Sequence, residues 1–117
     1  MLGFNSGLKV YVAVEPCDMR KSFDGLSAQV RSHLQADPTS GAAFLFSNRK
    51  RSMIKILYWD GTGLWVVAKR LEKGTFRWPR PSEVNGKKIS IKPTALSMLT
   101  DGIDLKDGMQ RTWFEQD

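Results

Sequence analysis

Residues 52–78, SMIKILYWDGTGLWVVAKRLEKGTFRW, decide the fold that we predict for this chain. Met53–Trp59 and Leu64–Arg70 are rich in β-branched and aromatic residues, which favour strands. Between them, residues 60–63 (DGTG) supply the Asp and Gly that tolerate the backbone of a hairpin turn. A further turn leads to residues 75–78, which we predict to be a third strand. Lys and Arg interrupt these strands, so the hairpin is both aromatic and basic.

The length and composition indicate one globular domain. The chain has 117 residues, 41% of them hydrophobic and 26% charged, which is ordinary for a protein with one modest core. No apolar run approaches the roughly 20 residues of a membrane-spanning helix. The start of the chain lacks the basic-then-apolar pattern of a signal peptide, so a cytoplasmic location without a membrane partner is expected. Residues 1–117 are predicted as a single domain in which residues 106–117 form a tail that either docks on a partner or frays.

Positive charge is concentrated in the middle of the chain. The formal net charge is +6, but residues 49–92 contain 12 Lys or Arg and 3 acidic residues. The remaining residues carry 6 basic and 9 acidic side chains. A basic middle between mildly acidic ends fits a positive surface that faces a polyanion, and it fits equally a charged face that is simply solvated.

The first part of the chain reads as a strand followed by a helix. Val10, Val12 and Val14 alternate with less apolar residues, which predicts a strand with one apolar face. Asp18 is a candidate N-cap of a helix over residues 18–36, whose apolar residues recur every three or four positions. In this interpretation Arg20 and Lys21 occupy the first helical turn, where they either create an anion site with the free N–H groups or point into water.

The remaining segments complete a mixed set of elements. Residues 41–46 (GAAFLF) are predicted as a strand covered on both faces, followed by a basic loop over residues 47–52. Residues 87–91 are predicted as a short strand and residues 94–102 as a second helix, which begins after Pro93. The predicted fold is therefore one α+β domain: a mostly antiparallel sheet centred on the hairpin at residues 53–78, with helices near 18–36 and 94–102 packed on it.

The sequence lacks the motifs of common enzyme classes. It has no HExxH, no glycine-rich phosphate loop and no nucleophile elbow, and its single cysteine, Cys17, excludes a CxxC metal site. Acidic residues such as Glu15 and Asp24 would have to converge with others to build a two-metal nuclease site. Two of the candidates, Asp18 and Asp60, already have structural explanations in a cap and a turn. We therefore expect no catalytic residues, no metal and no cofactor.

Several short runs together resemble one bacterial family. These runs are DMRK with FDGL at residues 18–26, DP and G at residues 37–41, FLFSNR at residues 44–49, WDGTG at residues 59–63, KRLEKG at residues 69–74 and LTDGID at residues 99–104. In combination they are similar to the transposition accessory protein TnpB of the insertion-sequence-sixty-six family, which is unrelated to the larger RNA-guided nucleases of the same label. The resemblance implies an auxiliary role in transposition beside a separate DDE transposase.

Two mechanisms are compatible with these residues. In the first, the protein binds DNA at the element ends, with the basic hairpin and loop on phosphates, Arg77 or Asn48 at base edges and Trp78 stacked on bases. In the second, it is an interaction module for the transposase or another element-encoded protein, anchored by Trp78 and Trp113. Exposed edges of a small sheet also allow a homo-oligomer. The predicted nucleic-acid-binding residues are Arg20, Lys21, Asn48, Arg49, Lys50, Arg51, Lys55, Lys69, Arg70, Lys73, Arg77, Trp78 and Arg80.

Overall fold

Five strands and two helices make up the part of the chain that the computed structural model describes, residues 7–101. A single turn of 3₁₀-helix, Pro81–Glu83, precedes the last strand. The elements in chain order are β1 (Val10–Ala13), α1 (Phe23–Ser32), β2 (Ala43–Ser47), β3 (Met53–Trp59), β4 (Leu64–Arg70), β5 (Lys88–Ile91) and α2 (Ala95–Asp101).

The strands form one sheet in the order β4-β3-β2-β1-β5. The pair β1–β2, which α1 connects, is parallel, and the other three pairs are antiparallel. The predicted class, α+β with a mostly antiparallel sheet, is confirmed. The β3–β4 hairpin lies at one edge of the sheet rather than at its centre. The central strand is β2, whose five residues are all buried, as predicted for a strand covered on both faces.

Each face of the sheet carries its own apolar core. On one face Leu26 and Val30 of α1, together with Leu34 just beyond the helix, pack with the side chains of Phe44 and Phe46 from β2. On the other face α2 and residues 76–84 cover the side chains that alternate with these, including the predicted row Val10, Val12 and Val14. Period-two alternation in a strand sends neighbouring side chains to opposite faces, so both cores follow directly from the strand sequences.

The first helix is shorter than predicted at both ends. It begins at Phe23 because Asp18, the predicted N-cap, instead accepts the backbone N–H of Arg20 at 2.9 Å in a turn that precedes the helix. It ends at Ser32, and Gln35 then adopts φ +52° while the N–H of Ala36 donates to the carbonyl of Val30 at 3.0 Å. This bond spans six residues around the left-handed Gln35 and caps the end of the helix.

The predicted third strand of the hairpin is not formed. Residues 75–79 leave β4 and pass across the end of the sheet, where the N–H of Phe76 donates to the carbonyl of Arg51 at 2.7 Å. This path buries Phe76 and Trp78 in the core beneath α2. The short strand predicted over residues 87–91 is observed as β5. The end of the second predicted helix at Gly102 and the tail at 106–117 lie outside the described residues. Within residues 7–101 no helix is long and apolar enough to cross a membrane.

Candidate nucleic-acid interface

The sheet brings the basic segments of the sequence to one of its two ends. Because β1 and β2 are parallel, their carboxyl ends meet there with the amino end of β3. The antiparallel partners add the carboxyl end of β4 and the amino end of β5. We call this region the basic end. The Lys and Arg residues of its loops and strand termini are Arg20, Lys21, Arg49, Lys50, Arg51, Arg70, Lys73, Arg77, Lys87 and Lys88.

Asn48 organises the turn at residues 48–52, which links β2 to β3 in the middle of the basic end. Its Oδ1 accepts the backbone N–H groups of Ser52 at 2.9 Å and Met53 at 3.2 Å, and its Nδ2 donates to the hydroxyl of Ser52 at 3.0 Å. These bonds engage both ends of the amide. Asn48 is therefore a structural residue, and the structure does not present its side chain for reading a base edge.

Arg51 holds the same turn against the body of the protein. Its guanidinium donates to the carbonyl of Val14 at 2.8 Å and lies 5.5 Å from the ring centroid of Trp78. Burial, with a smaller contribution from the charge of Arg49, lowers the pKa of Arg51 from its ordinary value. Arg51, predicted together with Arg49 and Lys50 to contact phosphates, therefore directs its guanidinium to internal contacts.

Arg49 and Lys50 occupy the tip of the turn, and both are exposed. Neither side chain has a hydrogen-bond or ion-pair partner within residues 7–101. The bonds of Asn48 and Arg51 fix the backbone beneath them, so the two cations project from a rigid base. This pair is therefore an accessible part of the predicted site.

The segment before α1 adds Arg20 and Lys21 to the basic end, although not within the first helical turn as predicted. Arg20 is 91% exposed and forms an ion pair with Asp18 at 2.9 Å. The hydrogen bonds from Arg20 lower the pKa of Asp18 to about 2. Lys55, from β3, donates through Nζ to the carbonyl of Lys21 at 2.8 Å, which ties this segment to the sheet. The charge of Arg20 is thus partly neutralised by Asp18. The Lys55 ammonium uses one of its hydrogen-bond donors for a contact within the protein.

The two cations at the end of β4 point to opposite faces of the sheet. Lys69 pairs with Ile54, and its Nζ donates to the carbonyl of Thr100 in α2 at 2.9 Å. Arg70 is on the other face and exposed, as is Lys73 in the following turn. The structure therefore places Arg70 and Lys73 in the basic end, whereas Lys69 serves to hold α2.

The two predicted cations beyond β4, Arg77 and Arg80, differ in their exposure. Arg77 is partly buried, and its Nε has no hydrogen-bond partner within residues 7–101. Arg80 is exposed at the start of the 3₁₀ turn, where its backbone N–H donates to Glu83. Sequence reasoning missed Lys87 and Lys88, because only the pairing of β5 with β1 brings them to this end.

Trp78 does not have the exposed position that was predicted for it. Its side chain is only 8% exposed, and its indole Nε1 donates to the carbonyl of Ala13 at 2.8 Å. A ring enclosed in this way cannot stack on a base or anchor a protein partner. The other predicted anchor, Trp113, lies outside the described residues. Among residues 7–101 no group of three or more His, Cys, Asp and Glu side chains is arranged to hold a metal ion.

These features define a small α+β protein with a mixed five-stranded sheet and a cationic surface at one of its ends. A family model described as IS66 Orf2 like protein (TnpB_IS66) matches residues 8–110, and the chain belongs to this family. The uncharacterized protein y4hO of Sinorhizobium fredii is 36% identical over 113 residues, which cover 97% of this chain and 95% of the relative.

A second relative of the same strain, the uncharacterized protein y4jC, is 36% identical over 104 residues, covering 89% of this chain and 86% of the relative. No solved structure matches the chain. Membership of the IS66 Orf2-like family indicates an accessory role in transposition, as the sequence resemblance implied.

Proposed function

We propose that this protein is a DNA-binding accessory of transposition that contacts the phosphates of the element ends through its basic end. The observation that carries this proposal is the geometry of Arg49 and Lys50, two exposed cations on a turn that Asn48 and Arg51 fix in place. A rigid base lowers the entropic cost of placing these side chains on a phosphate backbone. Arg70, Lys73 and Lys87 extend the positive surface on either side of the turn.

The proposed contacts are electrostatic and address the DNA backbone rather than its bases. Asn48 and Trp78, two of the residues predicted for base contact, are engaged within the protein. Phosphate contacts position a protein on DNA without reading its sequence, and they release condensed counterions. The logarithm of the binding constant is therefore expected to fall by about 0.9 per neutralised phosphate for each tenfold increase in salt.

The test is fluorescence anisotropy of the full chain with a labelled duplex from the element's ends and with a scrambled duplex, each at two salt concentrations. Salt-sensitive binding to the ends supports the proposal. Equal binding to both duplexes would also support phosphate contact and would leave end selection to another component of the transposition machinery. An absence of binding at low salt would overturn the proposal.

Charge reversal locates the binding surface. The double substitution Arg49→Glu with Lys50→Glu is expected to weaken DNA binding about tenfold or more, because it removes two cationic contacts to phosphates and replaces them with negative charge. The salt dependence of binding is expected to become shallower for the same reason. The matched control is Lys9→Glu with Lys92→Glu, which makes the same change in net charge. Lys9 and Lys92 are exposed and flank the paired residues Val10 and Ile91 at the opposite end of the sheet. Equal losses in both variants would contradict the assignment of the site.

The alternative hypothesis is an interaction module for the transposase or another element-encoded protein, and a negative result for DNA binding would favour it. One of its two predicted anchors, Trp78, is buried. A pull-down of the transposase with the full chain would test it directly. Binding that survives the Arg49→Glu and Lys50→Glu substitutions would separate protein contact from DNA contact.

A further inference from the structure

The outer side of β4 is a long edge that no strand covers within residues 7–101. Two backbone bonds, from Asp60 N–H to the carbonyl of Gly63 and from Leu71 N–H to the carbonyl of Ser52, mark the hydrogen-bonded positions of the β3–β4 pair. By alternation, Trp65, Val67 and Lys69 direct their backbone groups toward β3. The backbone groups of Leu64, Val66, Ala68 and Arg70 therefore point outward from the sheet.

Over most of its length, this edge lacks the features that usually keep sheet edges apart. Its first five residues, LWVVA, include no charge and no proline, and charged residues occur only at Lys69 and Arg70. Trp65 and Val67 are 42% and 40% exposed, and they lie on one face because their partners Tyr58 and Ile56 do. The edge thus combines open backbone groups with an exposed apolar pair.

The polar group of the Trp65 ring is already satisfied within the protein, so the ring can be buried at an interface at low cost. Its only donor, Nε1–H, donates to Oδ2 of Asp60 at 2.8 Å within the same hairpin. A partner that covered this ring would therefore leave no indole donor without an acceptor. The bond also restricts the ring to one orientation, which lowers the entropic cost of association.

We propose that a second copy of this chain pairs antiparallel with β4 about a two-fold axis at Val66. The exposed residues Trp65 and Val67 lie one position on either side of Val66, so the two-fold places Trp65 of each copy opposite Val67 of the other. All four side chains then form one apolar cluster on the same face of a continuous sheet. The exposed apolar pair of each copy is thus covered by the same pair of the other, and this self-complementarity favours a second copy over an unrelated extended peptide.

The charges at the two ends of β4 suit the same register. Arg70 of one copy lies opposite Thr62 of the other, in the turn that carries Asp60. Four hydrogen bonds, from the Trp65 indole and from Thr62 and Gly63, hold the pKa of Asp60 well below its usual range, so this carboxylate stays charged. The cationic end of each β4 therefore faces an acidic turn, and the two cationic ends remain apart.

Such a dimer places the two basic ends at opposite ends of the joined sheet. If the proposed DNA contact is correct, the dimer could hold two DNA segments at once, such as the two ends of one element. This consequence rests on the proposed function, whereas the pairing of β4 does not. The oligomeric state is accordingly tested without DNA, so that either proposal can fail independently of the other.

The first measurement is the mass of the full chain in solution, by light scattering on size-exclusion chromatography over a range of concentrations. We expect a species of twice the 13.2 kDa of one chain. Val67→Lys, which places a like charge on each side of the axis, is expected to return the protein to a monomer. The control is Met98→Lys, which replaces an exposed apolar side chain on α2 and is expected to keep the dimer. Circular dichroism establishes that both variants are folded.

Disulfide trapping tests the register. In the proposed pairing the two Val66 Cα atoms are about 5.5 Å apart, within the range that a disulfide bridges, so oxidised Val66→Cys is expected to form a covalent dimer. Ala68 lies on the same face two residues away, and its two copies are about 13 Å apart at roughly 3.3 Å per residue, so Ala68→Cys is expected to remain monomeric on oxidation. The native Cys17 is buried, so it does not compete.

A monomeric mass at the highest concentration reached would overturn the proposal. A dimer that persists in Val67→Lys, or that Ala68→Cys traps as readily as Val66→Cys, would place the interface elsewhere and also overturn it. Loss of the dimer in Val67→Lys with trapping through Val66→Cys alone would establish both the surface and the register.

Discussion

Two turns of the sheet, at residues 48–52 and 60–63, are held by the same kind of hydrogen bond, from backbone N–H groups to a side-chain oxygen. The first turn is basic and the second is acidic. In the first, Oδ1 of Asn48 accepts the backbone N–H groups of Ser52 and Met53. In the second, Oδ1 of Asp60 accepts those of Thr62 and Gly63 at 2.8 and 3.0 Å. The neutral amide leaves the field of the neighbouring cations intact, whereas the carboxylate makes its own turn acidic.

The turns also differ in the residue that takes the left-handed conformation. In the 60–63 turn it is Gly61, at φ +100°, and no atom lies within 4 Å of the position a Cβ would take. In the 48–52 turn it is Arg51, at φ +58°, a conformation that is disfavoured for a residue with a Cβ. The internal contacts of Arg51 offset this strain. The acidic turn is therefore locally determined, whereas the basic turn depends on contacts with the rest of the protein.

Among the substitutions in the two turns, Asn48→Ala is expected to lower the stability of the protein most. It leaves two partly buried backbone N–H groups without an acceptor, at a cost of about 2–3 kcal/mol in the free energy of unfolding. The measurement is urea denaturation, and the control is Asn85→Ala, an exposed residue in the loop before β5. Equal stability of the two variants would show that water replaces the amide and that the 48–52 turn is less rigid than its bonds indicate.

Arg51→Ala is expected to destabilise the protein by about 1–2 kcal/mol, through loss of the bond to Val14 and the contact with the Trp78 ring. Its neighbour Arg49 is exposed and lacks such contacts, so Arg49→Ala is expected to change stability by no more than about 0.5 kcal/mol. Denaturation curves of the two variants compare a structural cation with an interface cation in one turn. If Arg49→Ala proved the more damaging, their roles would have to be exchanged.

In the acidic turn, Gly61→Ala is expected to cost about 1 kcal/mol, because a Cβ disfavours the left-handed backbone even where space is open. The matched control is Gly63→Ala in the same turn, where φ is not positive and no atom lies within 4 Å. Thermal unfolding followed by circular dichroism would distinguish them. A neutral Gly61→Ala would mean that the turn can change its type.

The smallest expected effect is the change in protein stability when the pH is lowered and Asp60 becomes protonated. The folded-state pKa of Asp60 lies below its unfolded value, so its contribution to stability is present above about pH 4 and is lost as the pH falls below it. Asp60→Asn should therefore be less stable than the parent protein at pH 7, and the difference should shrink at pH 3. Urea denaturation at both pH values measures this, and a constant difference would assign the effect of the carboxylate to shape rather than to charge.

Local signals in the sequence determined much of the fold and part of the site. The alternation of Val10, Val12 and Val14 gave a strand face, and the Asp-Gly turn gave the β3–β4 hairpin, because both patterns act over a few neighbouring residues. The exposure of Arg49 and Lys50 likewise followed from a polar run between two apolar strands. These predictions needed no knowledge of which element packs on which.

Tertiary structure alone decided the rest. Alternation gives a strand its faces but not its neighbours, so the parallel β1–β2 pair and the central place of β2 could not be read from the sequence. The same holds for Trp78, whose exposure was predicted from a following proline, yet whose indole reaches Ala13, 65 residues away in sequence. Local sequence patterns specify most of the strands and helices and the basic composition of the loops. Long-range pairing specifies which of those cations face solvent and which hold the protein together.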